Sequence, residues 1–306
     1  MKILLIGATG QVGFELSRRL AKTDHEVVRT ALEASPENDV LSLDLTQLPE
    51  ISKLIAEVKP DLIINAAAYT AVDKAESEQS LAQLINADAV KKMAESAKSI
   101  KAVLIHYSTD YVFDGTGEQA RDESAATSPV NFYGKSKLDG EEFIRQSGCK
   151  HLIFRTSWVY GAHGHNFVKT MLRVASDRKE LSVVADQVGS PTSAAQIAAC
   201  TIAAVEKLGA EKDSLDQYIG TYHLTGSGFT NWAEFAKTIF DFGSEFDSKV
   251  EGVKVNPIAT SEYPTPAKRP FNSRLDCSRL ETIFGVQLDS WENQLKITLK
   301  EIYSAQ

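Results

Sequence analysis

The 306-residue sequence has few cysteines and no long apolar run. Its three cysteines, Cys149, Cys200 and Cys277, are odd in number and widely spaced, which excludes a fully paired disulfide framework and a zinc site built from cysteine alone. No stretch reaches the roughly 18 consecutive apolar residues that a membrane-spanning helix needs. The apolar run that follows Met1 and Lys2 is interrupted by Gly7 and is too short for a signal peptide, so we expect none. We also expect no membrane partner and a cytoplasmic location.

An excess of basic residues is also lacking. Lys and Arg number 33 against 41 Asp and Glu, which gives a net charge of −8. Because binding to a nucleic-acid backbone needs clustered cations, we expect no nucleic-acid partner. A local cationic cleft remains compatible with this charge, and Lys137, Arg269 and Arg274 are candidates to line it.

Short apolar runs alternate with amphipathic stretches through the first half of the chain. Strands are predicted at 2–6, 26–30, 40–43, 61–64, 102–106 and 151–155. Helical spacing of apolar residues predicts helices at 11–22, 47–57, 80–99 and 129–147. Alternating strands and helices, with strands that are apolar throughout, indicate a parallel sheet covered on both faces.

The alternation loosens after about residue 165. Helices are predicted at 166–176, 193–207, 230–242 and 290–303, with proline and glycine between them. The most loop-like stretch runs from 256 to 274, and loops of this length are often functional.

Gly7, Gly10 and Gly13 form a G-x-x-G-x-x-G pattern between the first strand and the first helix. Glycine lets the strand turn sharply and lets the backbone approach a pyrophosphate, which the free N–H groups of the helix then bind. The alternative is an ordinary glycine-rich turn, but this position at the start of a β/α series favours dinucleotide binding. We therefore predict an α/β fold with a Rossmann-type doubly wound parallel sheet. Residues 1–165 would bind NADP(H) and carry the catalytic residues; 166–306 would form mainly a smaller α/β substrate lobe, from which the chain could cross back.

Two later features agree with this prediction. Asp44 and Leu45 follow the third strand, where an acid can accept a hydrogen bond from adenine, although a cap or turn role is the alternative. The small residues at 65–68 (Asn-Ala-Ala-Ala) end the next strand, and their size lets the backbone lie flat against adenosine and ribose.

The end of the second strand usually decides between NADP and NAD. An acid there binds the ribose 2′-hydroxyl, whereas a basic residue accommodates the 2′-phosphate. Arg29 lies in this stretch and no acid occurs before Glu33, so the sequence favours NADPH, with NADH as the alternative. Arg29 could equally be a solvated strand residue.

Tyr133 and Lys137 form a Y-x-x-x-K pattern on a predicted helix, so they share one face. We expect the lysine to lower the pKa of the tyrosine, which then exchanges a proton with a reacting oxygen. Ser108 and Thr109 follow a buried strand, where one hydroxyl can hydrogen-bond that oxygen. The alternatives are a surface pair and a Ser/Thr turn.

These motifs resemble the extended short-chain dehydrogenase/reductase family. Within it, four longer runs resemble the dTDP-4-dehydrorhamnose reductases: 65–76 (NAAAYTAVDKAE), 106–113 (HYSTDYVF), 154–160 (FRTSWVY) and 269–275 (RPFNSRL). The similarity extends from residue 1 to about residue 300. It implies NADPH-dependent reduction of the C4 keto group of dTDP-4-dehydro-6-deoxy-L-mannose, the last step of dTDP-L-rhamnose synthesis.

The resemblance also implies roles for individual residues. The catalytic set is Thr109, Tyr133 and Lys137. The motif arguments above add the turn glycines and Arg29 to the cofactor-binding residues that the resemblance implies. The cofactor-binding set is then Gly7, Gly10, Gln11, Val12, Gly13, Arg29, Asp44, Leu45, Ala66, Ala67, Ala68, Tyr69, Tyr133 and Lys137. The substrate-binding set is Thr70, Val72, Thr109, Asp110, Tyr133, Trp158, Asn166, Gln187 and Arg274. A tryptophan that follows a strand is more often a core residue, so Trp158 rests mainly on the resemblance.

One departure from the family concerns a metal. Some members dimerise through a magnesium ion held by glutamates on the helix after 191–192. Glu15 could contribute from the first helix, but the segment 193–200 contains no carboxylate, and hard cations need oxygen ligands. We therefore expect no metal and a monomer or weak homodimer, with His163 and His165 as solvated loop residues.

Two alternatives for the function stay open. One is another nucleotide-sugar reductase, epimerase or dehydratase of the extended family, although Asp110 and Tyr111 beside Thr109 match the reductase pattern. The other is a non-catalytic NADP-binding regulatory subunit, like the β subunit of methionine adenosyltransferase. The intact set of Thr109, Tyr133 and Lys137 favours an enzyme. The sequence leaves open whether the sugar carries dTDP or UDP.

Overall fold

The computed structural model describes residues 1–175 and 177–304. The strands are β1 (Lys2–Ile6), β2 (Glu26–Ala31), β3 (Val40–Ser42), β4 (Leu62–Asn65), β5 (Val103–Thr109), β6 (His151–Thr156), β7 (Val159–Tyr160), β8 (Glu180–Val184), β9 (Val188–Gly189), β10 (Thr192–Ser193), β11 (Gly220–His223), β12 (Thr230–Asn231) and β13 (Lys254–Ile258). The α-helices are α1 (Gln11–Leu20), α2 (Leu48–Val58), α3 (Val72–Ala75), α4 (Gln79–Gln83), α5 (Ala89–Ile100), α6 (Phe132–Ser147), α7 (Phe167–Ala175), α8 (Ala194–Ala210), α9 (Trp232–Gly243), α10 (Ser278–Phe284) and α11 (Trp291–Ser304).

The central sheet has seven parallel strands in the order β11-β6-β5-β4-β1-β2-β3. The chain moves outward from β1 to β3, returns to the other side of β1, and moves outward again through β4, β5 and β6. Its direction therefore reverses between β1 and β4. Ligands of open α/β sheets bind beyond the carboxyl ends of the strands at such a point. The predicted doubly wound parallel sheet is confirmed.

Alternation of side chains along the strands builds two core layers. Ile3 and Leu5 of β1 pack on one face of the sheet in a cluster that includes Leu16 of α1. Leu4 points to the opposite face and packs in a cluster with Ile51 of α2. Because both faces are covered, the strands are apolar at every position, as the sequence indicated.

A third cluster forms the core of a smaller lobe. It joins α7, α9 and α11 around Tyr160, Phe235 and Leu295, and β8 pairs in parallel with β13 beside it. The chain crosses back from this lobe, because α8 packs against α1 and β11 pairs with β6 at the edge of the central sheet. In the part of the chain that the structure describes, no helix has the length and apolar character needed to traverse a lipid bilayer.

Three predicted elements differ from the observed ones. The helix expected at 80–99 is broken by a π-helical segment, Leu84–Asp88, between α4 and α5. The loop expected at 256–274 begins later, because Lys254–Ile258 pairs with β8 and so forms an edge strand that tolerates Pro257. The helix expected at 166–176 is observed as α7, and residue 176 lies outside the described residues.

A buried ion pair ties α6 to the central sheet. Glu141 of α6 has a fully buried side chain and accepts hydrogen bonds from Nε and Nη2 of Arg155 of β6 at 2.9 and 2.7 Å. Arg145 contacts the same carboxylate from the surface. Burial alone would raise the pKa of Glu141, but the hydrogen bonds and charge of Arg155 outweigh burial and lower it.

Replacing Glu141 by Gln should lower the free energy of unfolding at neutral pH by about 3–5 kcal/mol, because the Arg155 charge stays buried without its partner. Urea unfolding followed by circular dichroism measures the loss. The matched control is Glu142→Gln, one residue away, whose side chain is 50% exposed and pairs with Arg145 at 2.7 Å. That change should cost about 0–1 kcal/mol. Equal losses in the two variants would contradict the assignment.

Candidate active site

The turn between β1 and α1 requires glycine at two of its three glycine positions. Gly7 has a φ of +85°, and a Cβ there would lie 2.7 Å from the backbone nitrogen of Ala67. A Cβ on Gly13 would lie 1.9 Å from the carbonyl oxygen of Gly7. At Gly10 a Cβ would meet no protein atom nearer than 3.5 Å. Packing of the protein therefore explains Gly7 and Gly13, whereas Gly10 leaves an open surface where α1 begins.

The amino end of α1 is suited to an anion. Gly10 is the N-cap residue, no side chain caps the helix, and its first turn contains no acidic residue. Gln11 and Val12, which open the helix, are half-buried. Uncapped N–H groups and the positive end of the helix dipole bind phosphate groups. The predicted pyrophosphate contacts at these residues therefore fit the geometry.

The segment from 161 to 166 lies against this turn. The His163 ring stacks on Phe14 with centroids 4.2 Å apart, and its Nε2 lies 3.0 Å from the carbonyl oxygen of Thr9. Asn166 donates a hydrogen bond from Nδ2 to Oε1 of Gln11 at 2.9 Å. Asn166, predicted to bind substrate, thus contacts the turn between β1 and α1. Among residues 1–175 and 177–304, no group of three or more His, Cys, Asp or Glu side chains is arranged to hold a metal.

The adenine-side predictions have mixed outcomes. Oδ1 of Asp44 accepts hydrogen bonds from the backbone N–H and the hydroxyl of Thr46 at 2.9 and 2.8 Å, which is the cap role named as the alternative. The Leu45 side chain is buried in the core layer with Ile51, so only its backbone can face a ligand. Arg29 lies within β2, two residues before its end, with its guanidinium 3.9 Å from the Asp39 carboxylate.

The backbone after β4 is held in place by the π-helical segment. Residues 66–69 are all half-buried. Asn86, from the π-helical segment, accepts a hydrogen bond from the Tyr69 N–H at 2.9 Å and donates to the Tyr69 carbonyl at 3.0 Å. It also donates to the Ser136 hydroxyl of α6 at 3.0 Å. The Tyr69 hydroxyl donates to Glu78, and this hydrogen bond raises the pKa of Tyr69 to about 12. The groove that includes Ala66, Ala67 and Ala68 is thus anchored to α6.

The predicted catalytic hydroxyls meet at the carboxyl edge of the sheet. Thr109 is the last residue of β5, and Tyr133 lies in the first turn of α6 within hydrogen-bond reach of it. Thr109 also donates to Oδ1 of Asp110 at 3.0 Å. Burial raises the pKa of Tyr133, and the Asp110 carboxylate adds to the rise, which the Thr109 hydrogen bond only partly offsets.

The expectation that Lys137 lowers the pKa of Tyr133 is therefore wrong for the ligand-free protein. Lys137 is 2% exposed and its amine turns toward β5. Its Nζ donates to the carbonyl of Tyr107 at 2.6 Å and lies 3.1 Å from Nε2 of His106. Burial lowers the pKa of Lys137 to about 8, against an opposing effect of Glu141. The two residues share one helix, but burial, Asp110 and Thr109 set the pKa of Tyr133, and the lysine amine is bonded toward β5 instead.

A largely apolar cavity of about 380 Å³ has Tyr111, two residues after Thr109, in its wall. Its wall comes from residues far apart in the chain: Tyr111, Phe167, Thr170, Met171, Ser182, Val183, Val184, Gln187, Trp232, Tyr263, Thr265 and Arg269. Tyr111 links it to the site, because its ring meets the Tyr133 ring edge-on at 5.7 Å. Arg269 donates to the Tyr111 hydroxyl at 3.2 Å and to Asp73 of α3 at 2.7 Å. Gln187, one of the predicted substrate residues, is part of this wall.

Trp158 packs against Trp232, a residue of the cavity wall. Its ring stacks on Trp232 with centroids 3.6 Å apart and planes 12° from parallel. It has a φ of +47°, which is unusual for a bulky residue and costs on the order of 1–3 kcal/mol. A Cβ on Gly189 would lie 2.8 Å from the Trp158 ring, so glycine there leaves room for the indole.

Three other predicted substrate residues do not line the cavity. Thr70 is exposed and Val72 is half-buried at the start of α3. Arg274 bonds to Oδ1 of Asn272 at 3.1 Å and lies 5.8 Å from the Phe229 ring centre.

Aromatic residues of the cavity wall were missed by the sequence analysis. Phe167 and Trp232 occur at the starts of helices with apolar periodicity, and that pattern is also typical of core residues. The feature of the sequence that could have identified them as site residues is the clustering of aromatic side chains in segments next to proline- and glycine-rich loops. Arg269 begins one of the family-like runs, and the sequence marks it only as a candidate cation of the cleft.

Comparisons with known proteins identify similar chains over the whole length. The family model described as the RmlD substrate binding domain matches residues 1–304. The dTDP-4-dehydrorhamnose reductase of Salmonella typhimurium is 44% identical over 304 residues, which cover 99% of each chain. The solved structure of the reductase from Clostridium acetobutylicum has a TM-score of 0.86 at 39% identity and covers 99% of each chain. That from Bacillus anthracis, solved in complex with NADP, has a TM-score of 0.82 at 36% identity, covering 98% of this chain and 99% of that one.

The pH dependence of the free energy of unfolding should reveal the ionisation of Asp110, the buried carboxyl group beside Thr109. Asp110 is 3% exposed, and burial raises its pKa to about 6. Its protonated form therefore stabilises the fold below about pH 4, and this contribution is lost as the pH rises through 6. The variant Asp110→Asn keeps the acceptor for Thr109 but does not ionise. Relative to the wild type, its free energy of unfolding should rise by about 2 kcal/mol between pH 4.5 and 7.5, since one pKa unit corresponds to about 1.4 kcal/mol and the window covers about one and a half units below the raised pKa. Urea titrations at several pH values measure the difference, and a difference independent of pH would refute the assignment.

Proposed function

We propose, since this chain belongs to the dTDP-4-dehydrorhamnose reductase family, that it reduces the C4 keto group of dTDP-4-dehydro-6-deoxy-L-mannose to give dTDP-L-rhamnose. It is an oxidoreductase with NADPH as the hydride donor and NADH as a possible substitute. The observation that carries the proposal is the meeting of the Thr109 and Tyr133 hydroxyls at the carboxyl edge of the sheet, the edge at which the glycine turn after β1 also lies.

The chemistry needs one hydride and one proton. When bound, NADPH supplies the hydride that becomes attached to C4 of the sugar. Tyr133 donates its phenolic proton to the oxygen on which negative charge develops, and Thr109 hydrogen-bonds that oxygen. The raised pKa of Tyr133 keeps the phenol protonated at neutral pH, which is the state that a proton donor requires. An alkoxide is a stronger base than a phenolate, so the transfer is downhill, and solvent restores the phenol afterwards.

The residues of the first domain fit a dinucleotide. The open position at Gly10 and the uncapped amino end of α1 suit its pyrophosphate. The groove at 66–69 suits the adenosine and ribose, and Lys137 holds the nicotinamide ribose. Arg29 accommodates a 2′-phosphate, and the NADP complex of the Bacillus anthracis relative supports that choice. We assign 1–165 to the cofactor and the catalytic residues and 166–306 mainly to the substrate, with α8 and β11 returned to the first domain.

The apolar cavity suits a nucleotide sugar whose sugar lacks a 6-hydroxyl. Its lining contains Phe167 and Trp232, which offer flat surfaces to a pyrimidine, and Gln187, which offers an amide. Arg269 supplies a guanidinium at the wall for a pyrophosphate. The partner of this protein is thus a small-molecule dTDP-sugar. We assign no metal, and the chain acts as a monomer or weak homodimer, since the segment 193–200 offers no carboxylate to a bridging ion.

Replacing Tyr133 by Phe should lower kcat on the order of 10²–10⁴-fold, because the general acid is lost while packing is kept. The assay follows NADPH absorbance with the 4-keto sugar supplied by the two preceding enzymes of the pathway. NADPH binding, measured by fluorescence, is the control; because the Tyr133 hydroxyl is only one of many cofactor contacts, binding should change far less than kcat. Unchanged turnover in the variant would refute the role of Tyr133.

The same assay separates the proposed function from its alternatives. We expect a higher kcat/KM with NADPH than with NADH, and the reverse order would remove the role given to Arg29. NADPH binding without oxidation in the wild type would support a regulatory subunit. Turnover only with a UDP-linked or an otherwise different sugar would support another nucleotide-sugar enzyme.

The glycine turn allows cofactor binding and folding to be tested separately. Gly10→Ala should leave Tm unchanged and weaken NADPH binding, because the added methyl group enters space that no protein atom occupies. Gly13→Ala should lower Tm, because its Cβ would lie 1.9 Å from the Gly7 carbonyl oxygen. Calorimetry and fluorescence titration measure the two effects. A loss of Tm in Gly10→Ala, or full NADPH affinity in that variant, would contradict the assignment.

A further inference from the structure

A chain of buried hydrogen bonds connects the cofactor groove to Lys137. In the parallel pairing of β4 and β5, Asn65 lies directly opposite His106. Asn65 and His106 are 1% and 0% exposed. The reaction steps above use neither of them. Starting from the backbone N–H of Ala67 in the groove, the chain passes through both side chains and ends at the amine of Lys137.

The direction of this chain is set at the groove. The N–H of Ala67 can only donate, and it does so to Oδ1 of Asn65 at 3.1 Å. Nδ2 of Asn65 therefore faces His106 and donates to its Nδ1 at 3.0 Å. A neutral imidazole that accepts at Nδ1 carries its proton on Nε2. Burial lowers the pKa of His106 well below its usual value, and the charge of Lys137 adds to the effect, so the neutral ring is the relevant form.

The direction of these hydrogen bonds determines which protonation state of Lys137 fits the site. Nε2 of His106 lies 3.1 Å from Nζ of Lys137, so its N–H needs an acceptor there. An ammonium has no lone pair, whereas a neutral amine accepts this bond and still donates to the Tyr107 carbonyl at 2.6 Å. Protonated Lys137 would need the other tautomer of His106 and a reversed Asn65 amide, which would break the bond to Ala67.

We propose that Asn65 and His106 are positioning residues that stabilise the neutral amine of Lys137 relative to the ammonium in the cofactor-free enzyme. We further propose that cofactor binding charges Lys137 with a proton from solvent. The second step rests on the proposed function, because the ribose hydroxyls of the cofactor give an ammonium new acceptors. It also rests on the place of Ala67 in the groove, where a ligand can replace the bond that protonation breaks.

The surroundings of Lys137 leave its charge uncompensated. His106 and the Tyr107 carbonyl of β5 contact its amine, and Tyr133 and Glu141 lie one helical turn to either side of it on α6. Glu141 is committed to Arg155, and the Tyr107 hydroxyl is hydrogen-bonded to Thr201 at 2.7 Å. Burial lowers the pKa of Lys137 to about 8, so the neutral amine becomes the main form above about pH 8.

The first test uses the free protein and needs no cofactor. Lysine labelled with ¹³C at Cε is titrated by NMR, with the Lys137 signal assigned by its loss in Lys137→Arg. In the variant Asn65→Asp, the carboxylate accepts from both the Ala67 N–H and a protonated Nδ1 of His106, so Nε2 can accept from an ammonium. The midpoint for Lys137 should therefore rise by roughly one pH unit or more.

Two further variants complete this test. His106→Gln offers Lys137 a carbonyl acceptor, so it should raise the midpoint too, and it serves if Asn65→Asp does not fold. Asn231→Asp makes the same change at the N-cap of α9 and should leave the midpoint as in the wild type. A midpoint that stays at the wild-type value in every folded variant of the chain would overturn the proposal.

The second test measures proton uptake when NADPH binds. Isothermal titration calorimetry at about pH 8.5, in buffers of different ionisation enthalpy, should give an uptake of roughly half a proton or more in the wild type. Uptake should fall toward zero in Asn65→Asp and His106→Gln, because their Lys137 is already charged. No uptake by the wild type would overturn the coupling to the cofactor. Normal uptake without sugar reduction would refute the proposed reaction and leave this inference standing.

Discussion

The shared alignment of the carboxyl ends of β1, β4 and β5 is the constraint on which the rest of the site depends. Gly7 lacks a side chain where one would collide with Ala67, so the turn after β1 can lie against the end of β4. The pairing of β4 with β5 then sets Asn65 opposite His106. Three residues farther along β5, Thr109 reaches the sheet edge, where Tyr133 of α6 meets it. A shift of one residue in either pairing would move these side chains to the other face of the sheet.

Burial then shifts the pKa values within this edge. It raises the pKa of Tyr133 and of Asp110 and lowers that of Lys137, so burial favours the neutral form of each group. The pKa values of about 6 for Asp110 and about 8 for Lys137 lie near neutral pH, so small changes in hydrogen bonding can move protons. The pair of Glu141 with Arg155 differs, because its two buried hydrogen bonds lower the pKa of Glu141 and brace α6 against β6. The scaffold thus contains a fixed ion pair, whereas the reacting edge contains groups whose charge can change.

The cavity beside this edge shows how the second half of the chain contributes. Tyr111 comes from the first domain, whereas Gln187, Trp232 and Arg269 come from three separate segments of the second half. Trp158 follows β6, and its ring stacks on Trp232 at the start of α9, so the two halves of the chain are also in contact there. The return of α8 and β11 to the central sheet means that the two lobes are interleaved in the chain rather than joined by one linker.

Much of this protein could be read from local patterns. The turn glycines, the apolar strands and the spacing of Tyr133 and Lys137 each reflect a requirement that acts over a few residues, such as a positive φ, a fully covered strand or one helical turn. Leu45, Asn166 and the lysine charge could not be read in this way. Leu45 is buried because α2 covers it, and Asn166 meets Gln11 across a long stretch of chain. The sequence by itself determined the doubly wound fold and the catalytic residue types; the tertiary structure alone decided which groups are buried, which way hydrogen bonds run and therefore which carry charge. These properties depend on neighbours that are distant in the chain, and desolvation acts through all of them at once.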